Sequence, residues 1–235
     1  MPEAKQIEPT HIGVLNEQPL HAALKRQYAS SDTALEAGID GFIVDVASDG
    51  LLIEIQTGNF SSVKVKLIQL AERHRLRLVY PIAREKWLLK LPKDENGETK
   101  RRKSPKRGRV EEVFFELVSF PELICEEGFS LEVVLIQEEE VRRYEPQRGW
   151  RQHGWVTVER RLLKVLDHHL FQQPCDLSAL LPATVPRRFT TADIAAGLDA
   201  SRSLAQKMAY CLRKTGMINQ VGKRGRSNLY TRSEG

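Results

Sequence analysis

The chain has few cysteines and no long apolar run. Its 235 residues include only three cysteines, Cys125, Cys175 and Cys211, which lie far apart and form no Cys-x-x-Cys pair. This spacing disfavours both a disulfide framework and a zinc site. No apolar stretch approaches the length of a membrane span, and the first residues lack the apolar segment of a signal peptide. These absences predict a cytoplasmic protein with reduced cysteines and no membrane partner.

Basic residues are unevenly distributed, although the formal net charge is only +5. They concentrate at 100–109, 148–151 and 223–226, whereas Glu138, Glu139 and Glu140 form an acidic run. Basic clusters separated from acidic ones are typical of proteins that bind a polyanion, and they predict nucleic acid as the partner. Residues 92–109 also carry Pro, Gly and Asn, which predicts a flexible basic loop. The loop residues expected to contact DNA are Lys103, Lys106, Arg107 and Arg109.

An Asp-Gly turn at 49–50 lies between two apolar, β-branched runs, 42–46 and 51–57, and predicts a β-hairpin. A turn centred on Asp49-Gly50 places Asp45 opposite Glu54, with Gln56 on the same face as Glu54. Two acids facing each other in an apolar hairpin are costly to desolvate. A hard divalent cation, Mg²⁺ or Mn²⁺, would offset that cost. The alternative is a solvated sheet face on which these acids only maintain solubility.

An Asp on one strand, followed by Glu-x-Gln on the next and then by a helix, resembles the core of the PD-(D/E)XK nuclease superfamily. The resemblance covers roughly residues 12–90. It implies an opening helix from Asn16 to about Ala29, the hairpin, a helix from Ser61 to about His74 and a strand at 76–80. It also implies a metal held by Asp45, Glu54 and the Ile55 carbonyl.

The resemblance departs from the commonest pattern at Gln56, which stands where the catalytic lysine usually lies. Lys64, early in the following helix, is the expected replacement, and Lys66 is interpreted as an ordinary solvated residue. Glu17 corresponds to an acid that approaches the metal in several members, although a role at the start of the helix explains it as well. Asp40 is the competing metal ligand, and a β-bulge before Asp45 would favour it.

The C-terminal part contains a helix, a short turn, a second helix and a hairpin with a basic tip. Thr190-Thr191 is expected to open the first helix, Ser201 to cap the second and Gly216 to end it. This order resembles a winged helix over roughly 156–232, which implies a helix in the major groove and a wing on phosphates. Packing against the first domain is the alternative. The residues expected to face DNA are Arg202, Gln206, Lys207, Arg213, Lys223, Arg224 and Arg226.

The expected fold class is α/β. Residues 1–148 would form a restriction-endonuclease-like mixed sheet flanked by helices, and residues 149–235 a smaller winged-helix domain that begins with a helix at 157–166. The leading hypothesis is a metal-dependent endonuclease acting on duplex or branched DNA. The alternative is a non-catalytic DNA-binding protein whose degenerate nuclease domain serves for binding or for forming a homodimer. A nuclease acting on RNA is a third option.

Overall fold

The computed structural model describes residues 18–94, 97–148 and 153–233. Within these residues, seven strands form one mixed sheet, in the order β1-β2-β3-β4-β6-β7, with β5 paired to β4. The strands are β1 (Ala34–Ile39), β2 (Phe42–Ser48), β3 (Leu51–Ile55), β4 (Arg75–Lys90), β5 (Lys100–Lys103), β6 (Phe129–Tyr144) and β7 (Trp155–Phe171). The helices of this part are α1 (Pro19–Tyr28), α2 (Lys64–Ala71) and α3 (Phe114–Leu117).

The large sheet is covered by helices on both faces. Strands β1, β2 and β3 are antiparallel neighbours, and β3, β4 and β6 run parallel to one another. Leu20 and Leu24 of α1 pack with Ile53 and Val79 on one face. Leu67 of α2 belongs to the larger apolar cluster on the other face. The prediction of an α/β protein with a mixed sheet is confirmed.

The second half of the large sheet differs from the sequence prediction. Strand β6 continues through a hairpin into β7, which pairs antiparallel with it along its whole length. The helix expected over 157–166 is therefore wrong, and the expected division at residue 148 falls inside one hairpin of one sheet. The short strand expected at 76–80 is part of the single long strand β4.

The basic segment 92–109 is less loop-like than expected. Its central residues form β5, which pairs antiparallel with the end of β4. Lys103 forms an ion pair with Glu85, with 3.0 Å between Nζ and Oε1. Arg109 donates to the Leu198 carbonyl at 2.5 Å and thereby reaches the C-terminal part of the chain. The expectation of a flexible loop is wrong for these residues.

The C-terminal module, residues 174–232, contains α4 (Pro174–Ser178), β8 (Arg188–Phe189), α5 (Thr191–Leu198), α6 (Arg202–Lys214), β9 (Ile218–Arg224) and β10 (Ser227–Arg232). Its strands form a small antiparallel sheet in the order β8-β10-β9. Helix α5 begins at the predicted threonines, with Thr190 as its cap, and Ser201 caps α6 through its side chain, as predicted. No helix in the described part of the chain is long and apolar enough to cross a membrane.

The C-terminal module shares its apolar core with the large sheet. Phe114 and Phe120 on one side and Met208 and Leu212 of α6 on the other belong to one buried cluster. Lys214 adds a peripheral ion pair to Glu122, at 2.9 Å. Because burial of apolar side chains is the main stabilising term in folding, the two parts are expected to unfold together.

This shared core generates a prediction about cooperativity. Met208→Ala removes a fully buried side chain and is expected to cost about 2–5 kcal/mol of unfolding free energy. All three tryptophans, Trp87, Trp150 and Trp155, precede the C-terminal module. Their fluorescence during urea unfolding should therefore shift to a lower midpoint, together with the far-UV circular dichroism.

The matched control is Val221→Ala, because this apolar side chain of the same module is 47% exposed. It should leave both signals within about 0.5 kcal/mol of wild type. An unchanged fluorescence midpoint in Met208→Ala, with only the circular dichroism shifted, would show two independent folding units instead.

Candidate active site and nucleic-acid interface

The β2–β3 hairpin has the predicted register. Val46 pairs with Ile53, and the last pair before the turn is Ser48 with Leu51. Asp49 and Gly50 both have positive φ, 45° and 74°, as the tight turns that match the strand twist require. Continuing this register along the strands places Asp45 opposite Glu54.

The two strands stop pairing at the position of these acids. Regular pairing ends at Val46 and Ile53, and the Ile55 N–H donates to Oδ2 of Asp45 at 2.8 Å. On the other side of β2, Glu36 lies opposite Asp45 with φ of 52°. A left-handed residue inside a strand is strained, and such strain is concentrated at functional sites. The backbone of both neighbouring strands therefore departs from regular pairing at Asp45.

Asp45 is held by donors from two different elements. Besides the Ile55 N–H, its Oδ2 lies 3.2 Å from Nε2 of His21 on α1. Burial alone would raise the pKa of Asp45, but the contact with His21, the Ile55 N–H and the nearby Lys66 outweigh it and lower this pKa. Asp45 is therefore ionised, with a carboxylate that is fixed in orientation.

Glu54 lies in the opposite electrostatic situation. Its side chain is buried, and its Oε1 lies 2.6 Å from Nζ of Lys66. Burial and the negative charge of Asp45 raise the pKa of Glu54, although the Lys66 ammonium and the backbone N–H of Asp45 act in the opposite direction. Its second oxygen, Oε2, is buried with no hydrogen-bond partner. A buried carboxylate oxygen without a partner is costly.

The lysine beside the acids is Lys66, and not the expected Lys64. Lys66 contacts Glu54 and also donates to the Ile43 carbonyl at 2.6 Å, so the interpretation of it as an ordinary solvated residue is wrong. Lys64 is exposed and lines a separate groove with Glu72 and Tyr210. The helix begins at Lys64 after a 3-10 turn, Phe60–Ser62, and this start sets which lysine faces the hairpin.

The remaining predicted site residues, Gln56 and Asp40, make their contacts with residues other than Asp45 and Glu54. The Gln56 amide donates to the Asn59 carbonyl and to Oγ of Ser62, so it holds the turn that leads into α2. Asp40 lies in the turn between β1 and β2, and its Oδ2 is 3.0 Å from Nε2 of His74. It is not among the residues that contact Asp45. Glu17 lies outside the described residues.

A divalent cation fits the chemistry of Asp45 and Glu54. The unpartnered Oε2 of Glu54 offers a hard oxygen beside an ionised carboxylate, and burial together with the charge of Asp45 raises the pKa of Glu54. No group of three or more His, Cys, Asp and Glu side chains within the described residues is arranged around a metal. Two carboxylates suit Mg²⁺, which keeps several waters and is commonly bound through one or two carboxylates.

A second concave surface lies between α6 and the β9–β10 hairpin. This cleft has a volume of about 510 Å³, and Arg202, Gln206, Arg213 and Arg226 line it. None of the described residues that line it is acidic. A groove with cations and amides and without carboxylates attracts phosphate groups. We call it the α6 groove.

Three other predicted DNA contacts lie outside this groove. Lys207 points towards α3, with its Nζ 6.0 Å from the ring centroid of Phe115. Arg224 pairs with Asp193, at 3.3 Å, and donates to the Arg188 carbonyl, so it stabilises the module itself. Lys223 is exposed near the tip of the hairpin. Of the loop cations, Lys106 and Arg107 remain exposed.

A family model matches the part of the chain that forms the large sheet. It describes a domain of unknown function, DUF8091, and it matches residues 18–172. The chain belongs to this family. The matched residues of this DUF8091 protein run from the start of α1 to the end of β7, and they include Asp45, Glu54 and Lys66.

One curated relative has a similar length. An uncharacterized protein of Treponema pallidum (strain Nichols) is 30% identical over 221 residues, which cover 93% of this chain and 86% of that protein. The similarity therefore includes most of the C-terminal module. No solved structure matches the chain.

Sequence reasoning did not identify His21 as part of the site. Its position in α1, one residue after the buried Leu20, gives it no distinctive spacing. A stronger signal exists for Lys66: it lies four residues before the buried Leu70, and side chains four residues apart lie on the same side of a helix.

The raised pKa of Glu54 predicts how metal-free stability depends on pH. A carboxyl group whose pKa is higher in the folded state stabilises the fold below its ordinary value of 4.5, and this stabilisation is lost as pH rises through the folded pKa. Glu54→Gln should therefore raise the Tm in EDTA at neutral pH, with a smaller gain near pH 4.

Mg²⁺ should raise the Tm of wild type and not that of Glu54→Gln, because binding to the folded state alone is stabilising. Glu36→Gln, which changes a carboxylate on the neighbouring strand, serves as the control and should retain the Mg²⁺ effect. A Glu54→Gln variant that is less stable than wild type in EDTA at neutral pH would contradict the assignment.

Proposed function

We propose that this protein is a metal-dependent endonuclease that hydrolyses phosphodiester bonds in DNA. The observation that carries the proposal is the buried, unpartnered Oε2 of Glu54 beside the fixed carboxylate of Asp45 and the ammonium of Lys66. The order of helix, hairpin, helix and parallel strand also agrees with the resemblance to the PD-(D/E)XK nucleases. Restriction-endonuclease-like is thus the proposed finer fold class.

Asp45 and Glu54 would hold Mg²⁺ or Mn²⁺, with the Ile55 carbonyl as the proposed third protein ligand. A bound divalent cation supplies a nucleophilic hydroxide at neutral pH and neutralises charge on the phosphate. His21 and the Ile55 N–H keep the Asp45 carboxylate in one orientation, so this ligand needs no rearrangement. The protein's contribution is mainly this prior organisation.

Lys66 is the proposed replacement for the missing lysine of the Glu-x-Gln strand. Its ammonium is anchored by the Ile43 carbonyl and by Oε1 of Glu54, and its side chain is 18% exposed. From this position it would orient the attacking water or donate to a phosphate oxygen. Gln56 would act indirectly, by holding the turn before α2.

The α6 groove is the proposed DNA-binding surface of a winged helix. Support comes from the strand order β8-β10-β9, the two capped helices and the lining of Arg202, Arg213 and Arg226. These side chains would contact the phosphate backbone, which gives affinity without sequence preference. Duplex or branched DNA is the proposed substrate, and three free cysteines agree with a cytoplasmic location.

Nicking of supercoiled plasmid tests the catalytic proposal. Wild type should nick DNA with Mg²⁺ or Mn²⁺ and be inactive in EDTA. Glu54→Ala should lower the rate by at least about 100-fold, because it removes several kcal/mol of transition-state stabilisation. Lys66→Ala should lower it by about 100-fold, a loss typical of one electrostatic group.

Lys64→Ala is the matched control, since this exposed lysine of the same helix should change the rate by no more than about twofold. Equal inactivity of wild type and Glu54→Ala on duplex, branched and single-stranded DNA and on RNA would support the non-catalytic binding protein instead. That alternative is favoured by Gln56, whose amide is engaged in the turn and away from the acids.

The salt dependence of DNA binding tests the α6 groove. Replacing Arg202, Arg213 and Arg226 together with Ala should weaken binding to all duplex sequences and reduce the slope of log K against log salt by about 3, roughly one per lost phosphate contact. The control is the triple alanine variant at Arg26, Arg73 and Arg75, which are exposed arginines outside the groove. Equal slopes for the two triple variants would assign the groove to another partner.

A further inference from the structure

A third concave site lies where the long strands of the sheet extend past the end of β3. Strands β4, β6 and β7 form one side of this cavity, and the 3-10 turn Val110–Val113 together with α3 forms the other. Its volume is about 680 Å³. Sites for small ligands typically measure roughly 300–1,000 Å³, so the cavity can hold a ligand of nucleotide size.

The strand side of the cavity carries fixed cations. Glu138 is fully buried, and its two oxygens lie 2.8 Å from Nζ of Lys86 and 2.6 Å from Nη2 of Arg160. Arg142 is anchored in the same way by Glu140, at 2.7 Å. Burying such groups costs more than an apolar packing of the same volume. The three cations Lys86, Arg142 and Arg160 exceed the two carboxylates of Glu138 and Glu140 by one positive charge, and this excess at the cavity wall favours an anion.

Glu140 shows how strongly this cationic side is organised. Burial alone would raise the pKa of Glu140, but hydrogen bonds from Thr157, Lys86 and Arg142 outweigh it and lower this pKa to about 2. Lys106 stands at the mouth of the cavity, with its side chain 77% exposed and its Nζ 3.7 Å from Glu112. A positive side chain is therefore available beside the fixed ones.

The helical side of the cavity has a different chemistry. Glu116 and Glu112 line it together with the ring of Phe115, and Tyr80 lies on the adjoining strand. The Phe60 N–H contacts one oxygen of Glu116, at 3.2 Å. Carboxylates accept hydrogen bonds from amino groups on base edges, and aromatic rings stack on bases. The cavity thus pairs a cationic side with an acceptor and aromatic side.

We propose that this cavity binds one nucleotide unit that carries an amino-bearing base, namely cytosine, adenine or guanine. The phosphate would lie against Lys86, Lys106, Arg142 and Arg160. The base would lie against Phe115 and donate its amino group to Glu116. This ligand chemistry occurs in a free nucleoside monophosphate and in the terminal nucleotide of a strand, and the binding itself does not depend on nuclease activity.

The cavity is connected to the candidate active site. Nη1 of Arg160 donates to the Thr57 carbonyl at 2.9 Å, and Thr57 follows Glu54 by three residues, which is about 10 Å of extended chain. A strand end held in the cavity would therefore lie close to the Asp45 and Glu54 carboxylates.

Calorimetric titration of the full chain in EDTA tests the proposal without any cleavage. CMP and AMP should bind at least about tenfold more tightly than UMP and TMP, because only the former can donate an amino group to Glu116. Single-stranded tetranucleotides with a 5′-phosphate and a terminal C distinguish the two sources. Tighter binding of the tetranucleotide than of CMP indicates a strand end, and the reverse order indicates a free nucleotide.

Two variants distinguish binding in the cavity from non-specific attraction of the phosphate to the basic surface. Lys106→Ala should raise the Kd for CMP about tenfold, as expected for loss of one charged hydrogen bond, whereas Lys100→Ala, at an exposed lysine of β5 outside the cavity, should not. Glu116→Gln retains an acceptor for the Phe60 N–H and should reduce the preference for CMP over UMP. Absence of binding by every mononucleotide and tetranucleotide, or equal binding of CMP and UMP by wild type, would overturn the proposal.

Discussion

The Asp45 carboxylate takes the place of a backbone carbonyl as the acceptor for the Ile55 N–H, and the rest of the candidate site depends on this hydrogen bond. Because β2 and β3 part at this position, their side chains face a gap in the ladder. His21 fixes the same carboxylate from α1, and Lys66 reaches Glu54 from α2. The helices on the two sheet faces therefore meet at one pair of acids, whose pKa values move in opposite directions.

The fold connects this site and the α6 groove through one apolar core. The apolar cluster that contains Leu67 of α2 continues through Phe114 to Met208 and Leu212 of α6. Arg109, in the segment after β5, bonds to the carbonyl at the end of α5. A winged helix held in this way would present DNA to the large sheet at a fixed angle. Packing against the first domain and DNA binding, which are alternatives in the sequence, are thus compatible in the structure.

Local signals in the sequence predict the β2–β3 hairpin and the starts of the two helices α5 and α6 in the C-terminal module. The Asp49-Gly50 turn sets the register, and Thr190 and Ser201 set the starts of two helices. Strand β7 is not predictable in this way, because three register shifts in its pairing with β6 break the two-residue alternation. Leu162, Leu163, Val165 and Leu166 then fall at helical spacing. The position of Lys66 also differs from the prediction. A 3-10 turn delays the start of α2, so the side of the helix on which each lysine lies is not the expected one.

The central claim is that Oε2 of Glu54 lacks a partner because it is a ligand for a divalent cation. The most direct test is the anomalous scattering of crystals soaked with Mn²⁺, measured for wild type and for Glu54→Gln. We expect a peak in wild type at ligand distance from Glu54 and Asp45, about 2.0–2.2 Å as for Mg²⁺ and Zn²⁺, and no peak in the variant. Wild-type crystals with Oε2 of Glu54 bonded to a protein group and no peak beside it would contradict the claim.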